Sequence, residues 1–368
     1  MRQIAQPTPP KGISVDRAPL FVTMGFDDNG HSGLIDGRAP EGVTWASNFF
    51  ASLKNPQGNN SSKTFDGVSG SCSFYFTSNY INDNEDEPNE LVRKSWYLAM
   101  SAGHEVGCHT RHHYEGGEFT VDKWREEIEG CISDLARPYS EEIGDFGIGV
   151  DPQNIVAFRT PFLDYNDNTF RAISELNFLY DCSIEEGVQD NQNGENFLWP
   201  YTLDEGSPGN RFTHKQGETP FIGNYPLLWE VPSYVLITPP DEKCNEYGIE
   251  PGFRSRLKEL QPTYFNESDG KITGLDYNCL VEFEMNREEW LATLKYTFDL
   301  RVKGNRAPFP FGGHSDVYAT GYDICPNISI EERREVIEEF FNYVLTFDFV
   351  RVVSVEKMLE WLQNPVEL

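Results

Sequence analysis

Short apolar runs recur along the chain and are too brief to form buried helices. The clearest of them span residues 20–26, 72–77, 155–158, 178–180, 226–229 and 349–353. Apolar runs of this length are typical of strands that are buried on both faces of a sheet. The pattern therefore predicts a largely parallel sheet that is covered on two sides.

Between these runs, apolar residues return with helical spacing. Helices are predicted over residues 90–102, 121–135, 287–300 and 330–343. The last segment follows Ser329 and has Glu332 at its third position, which is the pattern of a capping box. Alternation of strands with helices predicts an α/β fold with a mainly parallel sheet or barrel.

Three segments rich in Gly, Pro, Asn and Asp interrupt the alternation. They cover residues 55–70, 187–223 and 239–274. Connections of this length are uncommon in compact domains, so we expect ordered insertions around a site, or mobile loops. Since no repeat or linker is evident, we predict a polar extension over residues 1–17 and one domain over residues 18–368.

Composition and charge limit the kinds of molecule that this protein is expected to bind. The 368 residues are 38% hydrophobic and 14% aromatic, which is enough for a core that needs no disulfides or structural metal. No apolar run approaches the roughly 18 residues that a membrane span needs. The formal charge of −29 disfavours nucleic acid and anionic membranes as partners, whereas a neutral or cationic polymer is compatible. The charge is also explained by solubility alone.

The seven cysteines include no CxxC pair, which argues against a zinc ribbon or a thioredoxin-type site. Three lie in apolar runs and are expected to be buried thiols: Cys72, Cys108 and Cys182. The other candidates lie in loop-like sequence, and a disulfide between Cys244 and Cys279 is favoured over one with Cys325. Residues 1–11 are polar and proline-rich, so we expect either a cytosolic protein or one whose signal peptide has been removed.

Two adjacent carboxylates, Asp27 and Asp28, follow the first apolar run. In a parallel α/β fold functional residues collect at the carboxyl ends of strands, and this pair is predicted to lie there. Neighbouring side chains diverge on extended backbone, so one carboxylate could bind a metal while the other faces a reacting water. Taken alone, the fragment is better explained by a capped turn.

A histidine fragment covers residues 109–113. His109 and His113 are four residues apart, so on a helical turn both would project to one side. Imidazole is a common zinc ligand, and together with an Asp at a strand end the pair predicts a metal site rather than a structural role. His112 is expected to point away from this site.

Two further fragments offer polar groups at strand ends. Arg159 follows the run at residues 155–158, where it could keep a carboxylate ionised or simply form a surface salt bridge. The N–H of Phe162, beyond a rigid proline turn, could point at a developing oxyanion. His314 follows an apolar run and two glycines, and could protonate a leaving group or serve as an ordinary structural histidine.

In this order, the fragments resemble the motifs of the polysaccharide deacetylase family, the carbohydrate esterases that carry the NodB homology domain. The matching segments are residues 26–28, 109–113, 159–162, 227–232 and 313–314. The resemblance extends over residues 18–365 and implies a distorted (β/α)7-type barrel with long inserted loops. Further segments are similar to the arthropod-type chitin deacetylase branch: residues 198–204, 229–232, 305–308 and 361–365.

Carried over by position, the resemblance implies that Asp27 is the general base, that Arg159 orients it and that His314 is the general acid. The implied metal is zinc, with cobalt as a substitute, and its ligands are Asp28, His109 and His113. The residues implied to contact the substrate are Phe162, Trp229, Glu230, Tyr201 and Phe311.

Two of these positions depart from the family pattern. Glu230 stands where many members carry an Asp near the catalytic histidine. Phe311 stands where an aliphatic residue near the acetyl methyl is usual, so the small pocket there is expected to have another shape.

The resemblance implies a metal-dependent hydrolase that removes acetyl groups from N-acetylglucosamine units of chitin or chitooligosaccharides. Rival interpretations are an acetyl esterase on acetylated xylan, a carbohydrate-binding protein with a degenerate site, and a structural metal site in an unrelated α/β protein. We expect a monomer that is secreted or periplasmic and has no membrane span.

Overall fold

The computed structural model describes residues 2–35, 40–59 and 61–368. In these residues the strands are β1 (Leu20–Asp27), β2 (Ser73–Phe76), β3 (Glu105–Cys108), β4 (Ala157–Phe158), β5 (Tyr180–Asp181), β6 (Glu185–Glu186), β7 (Tyr201–Thr202), β8 (Trp229–Glu230), β9 (Ser233–Ile237), β10 (Lys271–Thr273), β11 (Phe309–His314) and β12 (Val350–Val352). The α-helices are α1 (Gly42–Ser52), α2 (Asn89–Ser101), α3 (Val121–Ala136), α4 (Asp167–Glu175), α5 (Pro208–Gln216), α6 (Asp241–Cys244), α7 (Phe253–Leu260), α8 (Arg287–Lys303), α9 (Ile330–Val344) and α10 (Val355–Gln363).

The strands form a curled sheet dominated by parallel pairs. Its order is β11-β1-β2-β3-β4-β5-β8-β7, and β12 also pairs with the start of β1. Within it, the pair β7–β8 is antiparallel. A smaller sheet, β10-β9-β6, is linked to β11 because the Gly312 N–H donates to the Gly274 carbonyl at 2.9 Å. The predicted α/β class and barrel-type sheet are therefore confirmed.

The four helices predicted from periodicity are all present, as α2, α3, α8 and α9, with ends shifted by up to three residues. The capping box is present as well, since the Ser329 side chain accepts from the Glu332 N–H and Glu332 accepts from the Ser329 N–H. Of the predicted insertions, residues 187–223 contain β7 and α5, and residues 239–274 contain α6, α7 and β10. These two are therefore ordered insertions rather than irregular loops.

The two faces of the curled sheet carry different side chains. Along β1, Val22 and Met24 join the apolar layer beneath the helices, whereas Phe21 joins a second cluster that includes Tyr75. A Cβ on Gly25 would lie 2.7 Å from the Tyr75 ring, and one on Gly107 would lie 2.5 Å from it. Because glycine has no side chain, Gly25 on β1 and Gly107 on β3 leave room for the ring of Tyr75, which lies on β2 between them.

The predicted disulfide between Cys244 and Cys279 is wrong. All seven cysteines are free and buried. Cys244 ends α6, where its thiol lies 3.5 Å from the Pro240 carbonyl, whereas Cys279 is enclosed in a π-helical turn at Asn278–Glu282. Both thiols pack as small apolar groups.

The described part of the predicted N-terminal extension lies against the domain. Gln3 and Gln6 accept backbone hydrogen bonds from Thr202 and Trp199, at 2.8 and 2.9 Å. Pro7 accepts a bond of 2.7 Å from the Asn305 side chain. Residue 1 lies outside the described residues. Among the helices that the structure describes, none combines the length and hydropathy that a bilayer span requires.

His104 holds the start of β2 against the middle of α1. One ring nitrogen, Nδ1, accepts from the Cys72 N–H at 3.2 Å, and Nε2 lies 3.0 Å from the Ser47 carbonyl oxygen, to which it donates. Burial lowers the pKa of this imidazole to about 4. The ring is therefore neutral in the folded protein at any pH well above that value.

Replacing His104 with Gln is expected to remove an acid-dependent loss of stability. Since the folded pKa lies below the unfolded value, the stability contributed by neutral His104 is complete above pH 6.5 and is lost as the pH falls towards 4. The full effect is at most about 3 kcal/mol. Denaturant unfolding of both proteins between pH 7.5 and 4 measures it, and exposed His214→Gln is the control. Identical pH dependence in His104→Gln and the unmodified protein would contradict this assignment.

Candidate active site

The candidate catalytic and metal-binding residues meet at the carboxyl ends of strands in one sheet, β11, β1, β3 and β4, with β2 between β1 and β3. β11 and β1 pair in register, so that His314 lies opposite Asp27. β3 and β4 pair through Cys108 and Phe158, which places the residue after each, His109 and Arg159, side by side. Segments far apart in sequence are therefore brought to one edge of the sheet.

Three predicted metal ligands converge at this edge. One donor atom each from Asp28, His109 and His113 lies within 4.8 Å of the others. The Asp28 Oδ1 atom lies 3.0 Å from His113 Nε2 and 3.7 Å from His109 Nε2. Two imidazole nitrogens and a carboxylate oxygen at this separation suit a divalent ion such as zinc.

The histidine fragment reaches this arrangement without a helical turn, contrary to the prediction. Residues 109–113 form an irregular loop in which Thr110 and His113 have positive φ angles of 68° and 59°. The Thr110 hydroxyl accepts from the His113 N–H at 3.1 Å, which closes the loop. A tight, locally bonded turn thus replaces helical spacing in bringing the two rings together.

His109 is held in the form that a ligand needs. Its Nδ1 atom donates to the Arg159 carbonyl at 2.9 Å, which leaves the Nε2 lone pair directed towards Asp28. Burial, followed by the neighbouring His113, lowers the pKa of His109 well below its ordinary value. The imidazole is therefore neutral, and the donor set fits a divalent metal.

Asp27 faces a different partner from Asp28. It is buried, and Arg159 Nη1 donates to its Oδ1 atom at 2.9 Å. Burial raises the pKa of Asp27, and the Arg159 charge partly offsets this. The guanidinium is fixed in turn, since its Nε donates to the Cys182 carbonyl and its Cζ lies 4.6 Å from the Tyr75 ring centre. This carboxylate is therefore oriented and basic.

His314 is paired with Asp276, a residue that the sequence reasoning missed. The His314 ring nitrogen Nδ1 lies 2.8 Å from one carboxylate oxygen, and the His314 N–H donates to the other at 3.0 Å. Burial would lower the pKa of His314, but the Asp276 charge raises it to about 10. The His314 imidazole is therefore protonated at neutral pH. Asp276 follows β10 and belongs to no recognisable motif, so no sequence signal could have identified it.

Gly312 allows this pairing because the segment after β10, which carries Asp276, passes very close to it. A Cβ on Gly312 would lie 2.2 Å from the Leu275 side chain. Gly312→Ala is therefore expected to cost about 1–3 kcal/mol of unfolding free energy through overpacking, and to lower activity by displacing Asp276. Thermal unfolding and turnover measure the two effects. Gly223→Ala is the matched control, because its closest contact would be 3.3 Å. Unchanged stability in Gly312→Ala would contradict the prediction.

Phe162 lies on the solvent side of the three candidate metal ligands. Its side chain is 63% exposed, and its ring centre lies 4.6 Å from that of His113. The backbone has φ of 58°, a conformation that is unfavourable for a residue with a side chain. Strain of this kind is concentrated at functional sites, where the surrounding structure maintains it.

The other four predicted substrate contacts are interior residues in this structure, and their part in substrate binding stays a prediction. Each is at most 1% exposed: Tyr201, Trp229, Glu230 and Phe311. Phe311 belongs to the apolar layer under the helices, and its ring centre is 6.5 Å from that of Trp290 in α8. Its register on β11 turns it away from the open edge of the site.

Glu230 does not stand beside the general-acid candidate, where the resemblance had placed it. In the sheet register it lies opposite Asp181, and its carboxylate accepts from the Ile184 N–H at 3.2 Å. Burial, and then the Asp181 charge, raises the pKa of Glu230 well above its usual range. The acid that contacts His314 is Asp276 instead. His112 also points elsewhere, as expected, and its Nδ1 atom lies 3.1 Å from the Glu127 carboxylate.

Comparisons with known proteins rest on structure alone. No protein-family model and no curated protein sequence matches this chain. A Mycobacterium smegmatis protein assigned to the polysaccharide deacetylases aligns with a TM-score of 0.52 at 15% identity, over 98% of this chain and 95% of that chain. A Pseudomonas aeruginosa PAO1 protein, also assigned to them, gives 0.48 at 14% over 94% and 91%. The allantoinase PuuE gives 0.47 at 15% over 94% and 91%.

The first of these alignments spans nearly the whole of both chains. At 15% identity such an alignment bears on the fold rather than on the chemistry. The chain therefore has the NodB-type α/β barrel fold, in common with the M. smegmatis protein assigned to the polysaccharide deacetylases.

Proposed function

We propose that this protein is a metal-dependent hydrolase that removes acetyl groups from a polysaccharide, with N-acetylglucosamine units of chitin or chitooligosaccharides as the substrate. The observation that carries the proposal is that two adjacent carboxylates face different partners. Asp28 faces two histidines, while Asp27 is bonded to Arg159 and lies opposite His314. This arrangement would provide a metal site, a general base and a general acid at one edge of the sheet.

In the proposed reaction Asp28, His109 and His113 hold the metal, zinc or a substitute such as cobalt. A divalent ion held there would polarise the acetyl carbonyl and lower the pKa of a bound water towards about 7. The proton of the attacking water is accepted by Asp27. Arg159 keeps that carboxylate oriented, and burial strengthens it as a base.

In the second proton transfer, His314 is the donor. Asp276 keeps its imidazole protonated at neutral pH, so the ring can donate to the departing amine nitrogen of the sugar. Each such acid or base step contributes about 10²–10⁴-fold to the rate. In this mechanism the Phe162 backbone N–H donates to the oxyanion of the tetrahedral intermediate.

The remaining features are parts of the same proposal. Residues 18–368 form the catalytic domain of a monomer that is secreted or periplasmic. The −29 charge is compatible with a neutral or partly cationic polymer such as chitin. Support for the polysaccharide class comes from the barrel fold shared with the M. smegmatis protein. Support for chitin comes from the sequence segments that resemble the arthropod-type branch.

Acetate release tests the proposal directly. Chitin oligosaccharides and acetylated xylan are incubated with metal-free and zinc-loaded protein, and Asp27→Asn protein serves as the inactive control. Zinc-dependent release from the chitin series is the expected result. Release mainly from xylan would move the assignment to an acetyl esterase. No release from either substrate, despite tight zinc binding, would refute both and point to another acylated substrate or to a binding protein.

A further inference from the structure

The turn that follows the two catalytic-site carboxylates is held by one acidic residue, Asp316. Its Oδ2 atom accepts from the backbone N–H groups of Asn29 and Gly30, both at 3.2 Å. Its Oδ1 atom accepts from the His31 N–H at 2.6 Å and lies 2.7 Å from His31 Nδ1. Three successive backbone donors and one ring thus converge on a carboxylate that is 5% exposed.

This turn needs such support because its backbone is unfavourable. Asp28 and Asn29 have consecutive positive φ angles of 64° and 73°. The left-handed conformation is unfavourable for residues that carry a side chain, although Asp and Asn adopt it more readily than most. The positive φ angle of Asp28 directs its carboxylate towards His109 and His113. With another backbone conformation at this residue, the carboxylate would not face the two histidines.

Other contacts fix the turn from the sheet side. The Asn29 side chain donates to the carbonyls of Phe26 and Tyr75, at 2.9 and 3.0 Å. The Trp96 indole N–H donates to the Asn29 carbonyl at 2.9 Å. These bonds hold Asn29 itself, whereas the N–H groups of residues 29–31 are directed at Asp316.

Asp316 also connects two parts of the site. It lies in the 3₁₀ turn Ser315–Tyr318, directly after β11, and so follows His314 by two residues. The segment that carries the proposed general acid is thereby bonded to the one that carries the proposed base and a proposed metal ligand.

We propose that Asp316 is a positioning residue that sets the orientation of Asp28 towards the metal. It does not itself touch the metal or the substrate. The inference rests on the proposed metal-dependent function. Groups that orient metal ligands typically affect metal affinity by about 10–100-fold when they are removed.

The test is zinc affinity, measured by competition with a chromophoric chelator on full-length protein. Asp316→Asn is expected to bind zinc about 10–100-fold more weakly and to lower kcat with little change in KM. Asp66→Asn is the matched control: this buried carboxylate accepts from the Thr64 hydroxyl and the Ser61 N–H and pairs with Arg351. We expect Asp66→Asn to lose stability but to retain zinc affinity.

The outcomes separate this inference from the proposed function. Unchanged zinc affinity in folded Asp316→Asn, beside tight binding by the unmodified protein, would overturn the role of Asp316 alone. Absence of zinc binding by the unmodified protein would overturn both. If Asp316→Asn does not fold, His31→Phe, which removes the ring contact with Asp316, is measured instead. Weaker zinc binding by that variant supports the inference, and unchanged binding overturns it.

Discussion

Asp27→Asn protein should bind zinc as tightly as the unmodified protein and yet lose about 10²–10⁴-fold in kcat/KM. The amide retains the shape of the carboxylate and an oxygen that can accept from Arg159 Nη1. It cannot accept a proton from water, so the loss falls on the chemical step. Zinc affinity and steady-state acetate release, measured on one preparation, separate the two properties.

The neighbouring carboxylate provides the contrast. Asp28→Asn makes the same chemical change one residue away, at a side chain that faces His109 and His113 rather than Arg159. This variant is expected to lose zinc affinity as well as activity.

Because the buried Arg159 cation loses its charged partner, Asp27→Asn should also unfold more easily, by about 1–3 kcal/mol. Near-normal turnover in Asp27→Asn would refute Asp27 as the base.

His109→Ala should abolish both zinc binding at micromolar zinc and turnover. His109 is 2% exposed, its tautomer is fixed by the Arg159 carbonyl, and its free nitrogen faces Asp28. Loss of a ligand should weaken binding by more than the roughly 10–100-fold that follows loss of a ligand's hydrogen-bond partner. Zinc competition and acetate release at saturating zinc measure the two effects.

The same fragment contains a matched control. His112 lies between the two ligand candidates in sequence, but its ring contacts Glu127 instead. We expect His112→Ala to retain zinc affinity and turnover, apart from a modest loss of stability. Equal losses in the two variants would mean that the effect of His109→Ala reflects general damage to the loop and not the removal of a ligand.

The sequence alone determined the α/β class and the four long helices, because apolar periodicity follows directly from which faces are buried. It also placed Asp27, Arg159 and His314 correctly at strand ends, since each directly follows or ends an apolar run. The carboxyl ends of parallel strands lie along one edge of a sheet, so separate fragments could be assigned to one site before any distance was known.

Side-chain direction was decided by strand register. Phe311 lies two residues from Gly313 on β11, yet its ring belongs to the layer beneath the helices. Trp229 and Glu230 are likewise enclosed where β8 pairs with β5. A motif that matches in sequence does not specify which face of a strand its residues occupy, because this depends on pairing with strands that are distant along the chain.

The tertiary structure alone supplied the two acids that orient the site. Asp276 reaches His314 across 38 residues, and Asp316 reaches Asn29 across 287. Neither contact follows from a spacing pattern in the sequence. Such contacts arise only when folding brings the end of β10 beside β11, and β11 beside β1. The sequence thus determined which chemical groups the site contains. Folding decided how those groups are oriented, because orientation depends on hydrogen bonds between segments that have no local relationship.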